Sequence, residues 1–262
     1  MIINYENTRF KVRITSSIER MLIKQRIKQL IGRFINKPYH QDEYVRFATE
    51  ILSSKSSGIV VDVGCNIGST VIPLAKKFPH ISFFAIEPHP IPSSRFIQNC
   101  ELNDLQNVTL VSCAIANTPS FAQIHTCPNN SGGHRLMSFS HRTDLAKYSV
   151  FSNLNVPTHT LREIFEHFGI THCELLKVDT EGYETQVLQS LGDFLHPNHV
   201  KNIVTELGYE GLEDANSSAV ELLHLTQEHS YSCKLLQTLV NISKPSDMPQ
   251  LKRFEVKDLI FQ

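Results

Sequence analysis

Short apolar runs alternate with stretches of helical period along most of this chain, and the alternation begins in earnest at residue 59. Runs at 59–63, 82–87 and 108–112 read as buried strands, and the stretches at 68–78 and 91–102 between them read as helices. A second series follows, with strands at 174–179 and 201–206, a helix from about Tyr183, a helix near Ser217 to Glu228, and closing strands at 231–239 and 254–261. Residues 121–126 and 154–159 look like extra strands flanking a polar connection, 127–153, long enough to be a binding loop or lid. Thr160 is placed to cap a helix through Phe168, with Glu163 completing a capping box. Strands that alternate with helices predict an α/β domain: an open, mostly parallel sheet with helices on both faces.

Upstream, Ile23, Ile27, Leu30, Ile31 and Phe34 form a helical stripe ending near Pro38, and a second short helix is expected at 42–52. A polar linker, 53–58, then leads to the first strand. The expected division is a helical extension over 1–57 and one α/β domain over 58–262. Between Arg9 and Lys37 nine basic residues face a single acid, Glu19, so the amphipathic segment 18–37 is a candidate for peripheral contact with an anionic membrane. The alternative is a helix packed on its own domain with a solvated basic face.

The global charge changes the picture little. A net charge of -1 gives no basic field, so nucleic acid is not an expected partner. The cysteines are scattered without a CxxC pair and several lie in apolar runs, which suits a reducing cytoplasm. The start lacks the basic-then-apolar order of a signal peptide, and no apolar stretch is long enough to span a bilayer. His159, His167, His172, His196 and His199 share no ligand spacing, so no metal site is expected.

Open α/β sheets bind ligands beyond the carboxyl ends of their strands. The first strand runs into Asp62, Gly64, Asn66 and Gly68, a turn that opens a helix; the second ends in Glu87, a carboxylate placed for both ribose hydroxyls. Cys113 and Ala114, after the third strand, are placed to line an adenine pocket. Asp179 and Glu181 follow the fourth strand, and Glu206 ends the fifth. This pattern predicts an adenosine-containing cofactor. Asn66 occupies the place where a dinucleotide site needs its middle glycine, and Asp62 would oppose a diphosphate yet serve an ammonium directly or through water. S-adenosylmethionine is therefore favoured over NAD.

The blocks Val61-Asp62-Val63-Gly64-Cys65-Asn66-Ile67-Gly68, Ile86-Glu87-Pro88-His89-Pro90, Asn99-Cys100-Glu101-Leu102-Asn103 and Leu176-Lys177-Val178-Asp179-Thr180-Glu181-Gly182-Tyr183-Glu184 together resemble the FkbM family of S-adenosylmethionine-dependent methyltransferases. The resemblance spans about 58–206, and its Lys-x-Asp-x-Glu-Gly block is the family-specific part. It implies the seven-stranded class I methyltransferase sheet, Rossmann-like, and O-methylation of a small-molecule or glycan acceptor. The chain departs from the family's usual pattern at Cys65, commonly alanine, and at Arg162, often an aspartate.

In the resulting expectation Asp62, Gly64, Asn66 and Gly68 hold the methionine end, Glu87 the ribose, and Cys113 with Ala114 the adenine. Asp179, with Glu181 beside it, faces the reaction centre as general base or donor-positioning group. Capping of the next helix is the competing role for these two acids. Two other functions use the same sheet: an NAD-dependent oxidoreductase, and a non-catalytic cofactor-binding scaffold recruited by its basic N-terminal helix.

Overall fold

A computed structural model of the chain describes residues 2–5, 8–11, 22–24, 42–125, 136, 154–252 and 255–262. It opens with a hairpin, β1 (Ile2–Tyr5) and β2 (Thr8–Lys11), followed by helix α1 (Glu43–Leu52). The main unit then runs β3 (Gly58–Val63), α2 (Val71–Lys77), β4 (Ile81–Ile86), α3 (Pro90–Leu102) and β5 (Val108–Val111). After β5 come β6 (Ala114–Ile115), β7 (Ser120–Ile124), β8 (Leu154–His159) and α4 (Leu161–Phe168). The second half contains β9 (Leu175–Val178), α5 (Glu184–Gln189), β10 (Ile203–Leu207), α6 (Tyr209–Asp214) and α7 (Ala219–Glu228). It closes with β11 (Cys233–Leu235), β12 (Asn241–Ile242) and β13 (Lys257–Phe261).

The main sheet has the order β12-β11-β13-β10-β9-β3-β4-β5. Its β5, β4, β3, β9 and β10 are mutually parallel, and β13 inserts antiparallel between β10 and β11. The order reverses at β3, where the chain leaves β5 and returns to pair β9 on the other side, so β3 and β9 flank the crevice where ligands bind such sheets. The sheet is the expected one with one addition: β12, two residues long, pairs β11 at the edge and makes eight strands rather than seven. A small sheet of order β6-β8-β7 stands beyond β5.

Alternation along the strands sorts the core onto two faces. Val61, Leu176, Val178 and Ile203 pack with Phe165 of α4, Val187 of α5 and Leu222 of α7. Val60, Leu175, Val204 and Ile260 pack with Ala48 of α1, Ile72 of α2 and Phe96 of α3. The second face also takes Phe10 from the hairpin and Leu22, both fully buried. The segment before residue 58 therefore starts with strands rather than helix and joins the core. Asn99 of α3 and Asn103, its C-cap, hold the hairpin. Asn103 accepts from the Arg9 amide at 2.8 Å and donates to its carbonyl at 2.7 Å, while Asn99 accepts from the Lys11 amide at 2.7 Å. Of the basic segment 18–37 only 22–24 belong to the described residues, and the membrane reading lies outside them.

The predicted cap at Thr160 is present: its side chain accepts from the Glu163 amide, and the Glu163 carboxylate accepts from the Thr160 amide. The expected lid, 127–153, also lies outside the described residues except for Leu136. Among the described residues no helix is long and apolar enough to cross a membrane. Five cysteines, Cys65, Cys100, Cys113, Cys173 and Cys233, are free thiols.

Candidate active site

A cavity of about 470 Å³ opens at the carboxyl edge of the sheet, inside the usual range for a small-molecule site. Strand order lays out its wall. At the β5 side it is apolar, formed by Ile86, Cys113, Ala114, Ile115, Ile124 and Leu136. Glu87 and the turn Gly64-Cys65-Asn66 come next, and beyond them lie Lys177, Asp179, Thr180 and Glu181. Glu206 and Asp258 line the cavity on the β10 and β13 side, and Asp42 and Tyr44 come from the start of α1, with the Tyr44 ring 5.8 Å from Lys177 Nζ.

The turn after β3 is built from main-chain demands. Gly64 and Cys65 both donate to the Ile86 carbonyl, at 2.9 and 3.1 Å, which pins the turn to the end of β4. Gly64 has φ +86°, and a Cβ there would collide with the Asp179 carbonyl oxygen, so the backbones of two strand ends touch only because this residue has no side chain. Asn66 takes φ +51°, a conformation asparagine tolerates, and its own Oδ1 accepts from the Ile67 amide at 2.9 Å. Gly68 departs from expectation. It does not line the cavity; its amide is spent on the Cys65 carbonyl, and a Cβ would press on Ile72 and Phe96. Its smallness serves the approach of α2 to α3.

Glu87 is 6% exposed, and each carboxylate oxygen takes one backbone amide, Oε2 from Asn66 at 3.0 Å and Oε1 from His89 at 2.8 Å. Each oxygen keeps a lone pair for a ligand hydroxyl. Burial pushes its pKa up to about 7, against the two amides that favour the charged form; Asp62 and Asp179 add to the rise. Burial likewise pushes the Cys113 thiol up to about 12, so it acts as apolar lining.

Asp62 is fully buried and is not part of the wall. Its carboxylate accepts from Thr70 Oγ1 at 2.8 Å and lies 3.7 Å from Lys177 Nζ, so any influence on a ligand passes through Thr70 and Lys177, which do line the cavity. Lys177 then bridges to Asp179 Oδ2 at 2.8 Å. Burial disfavours its ammonium, but the carboxylates of Asp179 and Asp62 more than compensate, and its pKa stands well above the ordinary value. The register explains this meeting. Asp62 and Lys177 are cross-strand partners of β3 and β9, and Glu206 and Asp258 are partners of β10 and β13. By alternation all four point to the face that carries α1 and α2, a row of charge where apolar packing would be expected.

Asp179 is 39% exposed at its side chain. The helix-capping role does not fall to it or to Glu181. Glu184, the first residue of α5, braces the loop before the helix: its Oε1 accepts from the amides of Thr180 at 2.8 Å and Gly182 at 3.1 Å, and from Thr180 Oγ1 at 3.1 Å. Glu181 has φ +59°, an unusual value for a residue with a side chain, and lines the cavity beside Asp179. The structure thus brings Gly64, Asn66, Glu87, Cys113, Ala114, Asp179 and Glu181 into one wall and leaves out Gly68 and Asp62. Arg162 pairs with Glu166 at 2.8 Å and Asp193 at 3.3 Å on the surface, away from it.

Sequence reasoning passed over Tyr44, Thr70, Lys177 and Asp258. Lys177 had a usable signal, a charged residue opposite Asp62 in a buried strand. Tyr44 and Asp258 become neighbours only through tertiary packing.

A sheet of this order, with a cavity, a buried carboxylate and a glycine turn at its switch point, has the class I S-adenosylmethionine-dependent methyltransferase fold. The chain belongs to the FkbM methyltransferase family, matching the Methyltransferase FkbM domain over residues 62–233. It is similar to Methyltransferase 1 of Beauveria bassiana (strain ARSEF 2860), 27% identical over 181 residues that cover 64% of this chain and 72% of that protein. It is also similar to Methyltransferase sdnD of Sordaria araneosa, 25% identical over 202 residues covering 69% and 76%. Among solved structures it resembles the precorrin-6y C5,15-methyltransferase of Geobacter metallireducens GS-15 at 15% identity and TM-score 0.44, covering 83% of this chain and 85% of that one. TYW2 of M. jannaschii in complex with AdoMet matches at 12% identity and TM-score 0.41, covering 100% and 83%. Family membership overturns the NAD-dependent oxidoreductase.

Proposed function

We propose that the protein transfers the methyl group of S-adenosylmethionine to a hydroxyl oxygen of a sugar, glycan or small natural product, with Asp179 receiving the proton. The observation that supports this is the release of Asp179 from structural duty. Glu184 satisfies the loop amides, Lys177 fixes one Asp179 oxygen at 2.8 Å, and the carboxylate remains open at the wall.

The residues fit the cofactor. Glu87 keeps one lone pair per oxygen for the ribose, Cys113 and Ala114 offer an apolar adenine wall, and the turn of Gly64 and Asn66 lines the methionine end, with Asp62 behind Thr70. Bound S-adenosylmethionine supplies an electrophilic methyl on a sulfonium sulfur. Everything else is positioning and proton transfer by the chain. Asp179 orients the acceptor O–H and takes its proton as the oxygen becomes nucleophilic. Lys177 holds that carboxylate in place, and Glu181 adds negative charge next to the same centre.

Asp179→Asn tests the reading, because it keeps size and most hydrogen bonding while removing charge and basicity. Methyl transfer to a screened panel of hydroxylated acceptors, followed with labelled donor, should fall by roughly 10²- to 10⁴-fold with cofactor affinity nearly preserved. Near-normal turnover in this variant would reject Asp179 as the base.

A further inference from the structure

Glu206 lines the cavity, yet proton transfer to Asp179 and the grip on the cofactor leave it without a task. Strand register fixes its place. Thr205 of β10 pairs with Val178 of β9, so Glu206 follows beside Asp179, and it pairs directly with Asp258 of β13. Three carboxyl groups therefore stand in a row across three adjacent strands. Asp179 is held by Lys177 Nζ at 2.8 Å, and Asp258 by Gln237 Nε2 at 3.3 Å. The Glu206 carboxyl group has no hydrogen bond or ion pair among the described residues, and its oxygens are not occluded. It is open to whatever fills the cavity.

The charges around it are nearly all of one sign. Lys177, the cation among the described lining residues, is already engaged by Asp179 and by Asp62, 3.7 Å away. Besides Asp179 and Asp258, Glu181 and Glu184 act on Glu206 from the loop after β9 and the start of α5, and α1 adds Asp42 and Tyr44 to the lining. Burial first, and then these like charges, keep its proton in place well above the ordinary carboxylate range. A group held in this way responds to a positive charge brought near it, and a neutral ligand leaves it protonated. S-adenosylmethionine and S-adenosylhomocysteine differ by one methyl group and by the positive charge on sulfur. From the Gly64 turn to Glu206 is two strand spacings, β3 to β9 to β10, roughly 10 Å. Across that span a unit charge changes an ionisation equilibrium by about tenfold at an effective dielectric constant of ~20.

We propose that Glu206 distinguishes the methyl donor from its spent product: its carboxyl group gives up a proton to solvent when the sulfonium is present and takes one back when the methyl has left. The loaded cofactor is then held more tightly than the demethylated one, and product release is coupled to uptake of a proton. Charge balances at each stage, since one positive sulfur enters as one proton leaves, and one proton returns when the sulfur becomes neutral. The effect lies on the donor side and is independent of which acceptor atom is methylated.

Full-length protein is titrated calorimetrically with S-adenosylmethionine and with S-adenosylhomocysteine from pH 7 to pH 9.5, above the range in which Asp258, pushed up to about 6, loses its proton. The ratio of the two affinities is the readout, because Glu87 meets the ribose of both ligands and cancels. In the unaltered protein the ratio should rise about tenfold in favour of the donor as pH rises. Glu206→Gln, which keeps the size of the protonated acid, should abolish that rise while leaving S-adenosylhomocysteine affinity within about twofold. The amino group of each ligand titrates alike in both proteins and drops out of the comparison. Asp258→Asn removes a like charge beside Glu206 and should move the rise to lower pH. A flat ratio in the unaltered protein, or a rise that persists in Glu206→Gln, overturns the proposal. Should Glu206→Gln fail to fold, an Asp258→Asn profile that coincides with the unaltered one overturns it equally. No acceptor enters the experiment, so either result leaves the hydroxyl-methylation reading to its own test.

Discussion

Glu87 makes cofactor affinity depend on pH in a direction opposite to its effect on the empty protein. Its pKa is raised from the ordinary 4.5 to about 7 in the folded state. A carboxyl raised in this way binds a proton in the folded chain that the unfolded chain does not hold. The stability cost, about 3 kcal/mol, is therefore present in full above pH 7 and is relieved as pH falls toward 4.5. Ribose hydroxyls are donors when they meet a carboxylate, so the bound state selects the ionised form. Between pH 8 and pH 5.5 the ionised fraction of a group with pKa 7 drops about 30-fold, which corresponds to about 2 kcal/mol of binding free energy. Calorimetric titration with S-adenosylhomocysteine, neutral apart from its amino-acid end, should show that loss across this range. Glu87→Ala should bind about 10- to 100-fold more weakly at pH 8 and show a much flatter profile. Asp258, pushed up to about 6 by burial, titrates in both proteins, so the difference between the two profiles isolates Glu87. A normal profile that varies less than about threefold, or an alanine variant with the same slope, refutes the reasoning.

Gly64→Ala should destabilise the protein by more than about 3 kcal/mol, since it combines positive φ with a collision against the Asp179 carbonyl; thermal melting without ligand checks it. Asn103→Ala leaves the Arg9 amide and carbonyl unanswered and should cost about 1–3 kcal/mol, with faster hydrogen exchange concentrated at residues 8–11. Removal of residues 1–37 takes away Phe10 and Leu22, both fully buried, and should lower the melting temperature rather than leave the sheet domain untouched; an unchanged melting curve would show that the segment is an appendage.

What the sequence made legible follows local rules. The central strands β3, β9 and β10 were recognisable as apolar runs because both their faces are largely buried, and the Thr160 and Glu163 cap was visible because a capping box is spelled by neighbours in the chain. Asp62, Gly64, Asn66, Glu87 and Asp179 sit at strand ends, where topology alone puts functional residues. The misses have a common cause. The hairpin 2–11 depends on Asn99 and Asn103, some ninety positions away, and β12 depends on pairing with β11 rather than on any apolar run of its own. Gly68 looked equivalent to Gly64 in the motif, yet only the packing of Ile72 and Phe96 reveals which glycine meets the cavity and which meets a helix. Glu184 read as one more acid in its block, and only its bonds to the Thr180 and Gly182 amides show that it holds the loop.

Asn99 has a further consequence. Its amide is fully buried, and while its oxygen holds the Lys11 amide of the hairpin, its nitrogen donates to the Ile67 carbonyl at 3.0 Å, inside the turn that carries Asn66. One side chain thus ties the hairpin at residues 2–11 to the turn that lines the cavity. Mechanical load applied at the amino terminus, by a fusion partner or by tethering to a surface, would reach the cofactor turn through two hydrogen bonds. An immobilised or tagged form of this enzyme is better attached by its carboxyl end, where Gln262 lies at the far strand cluster and no such tie runs to the turn among the described hydrogen bonds.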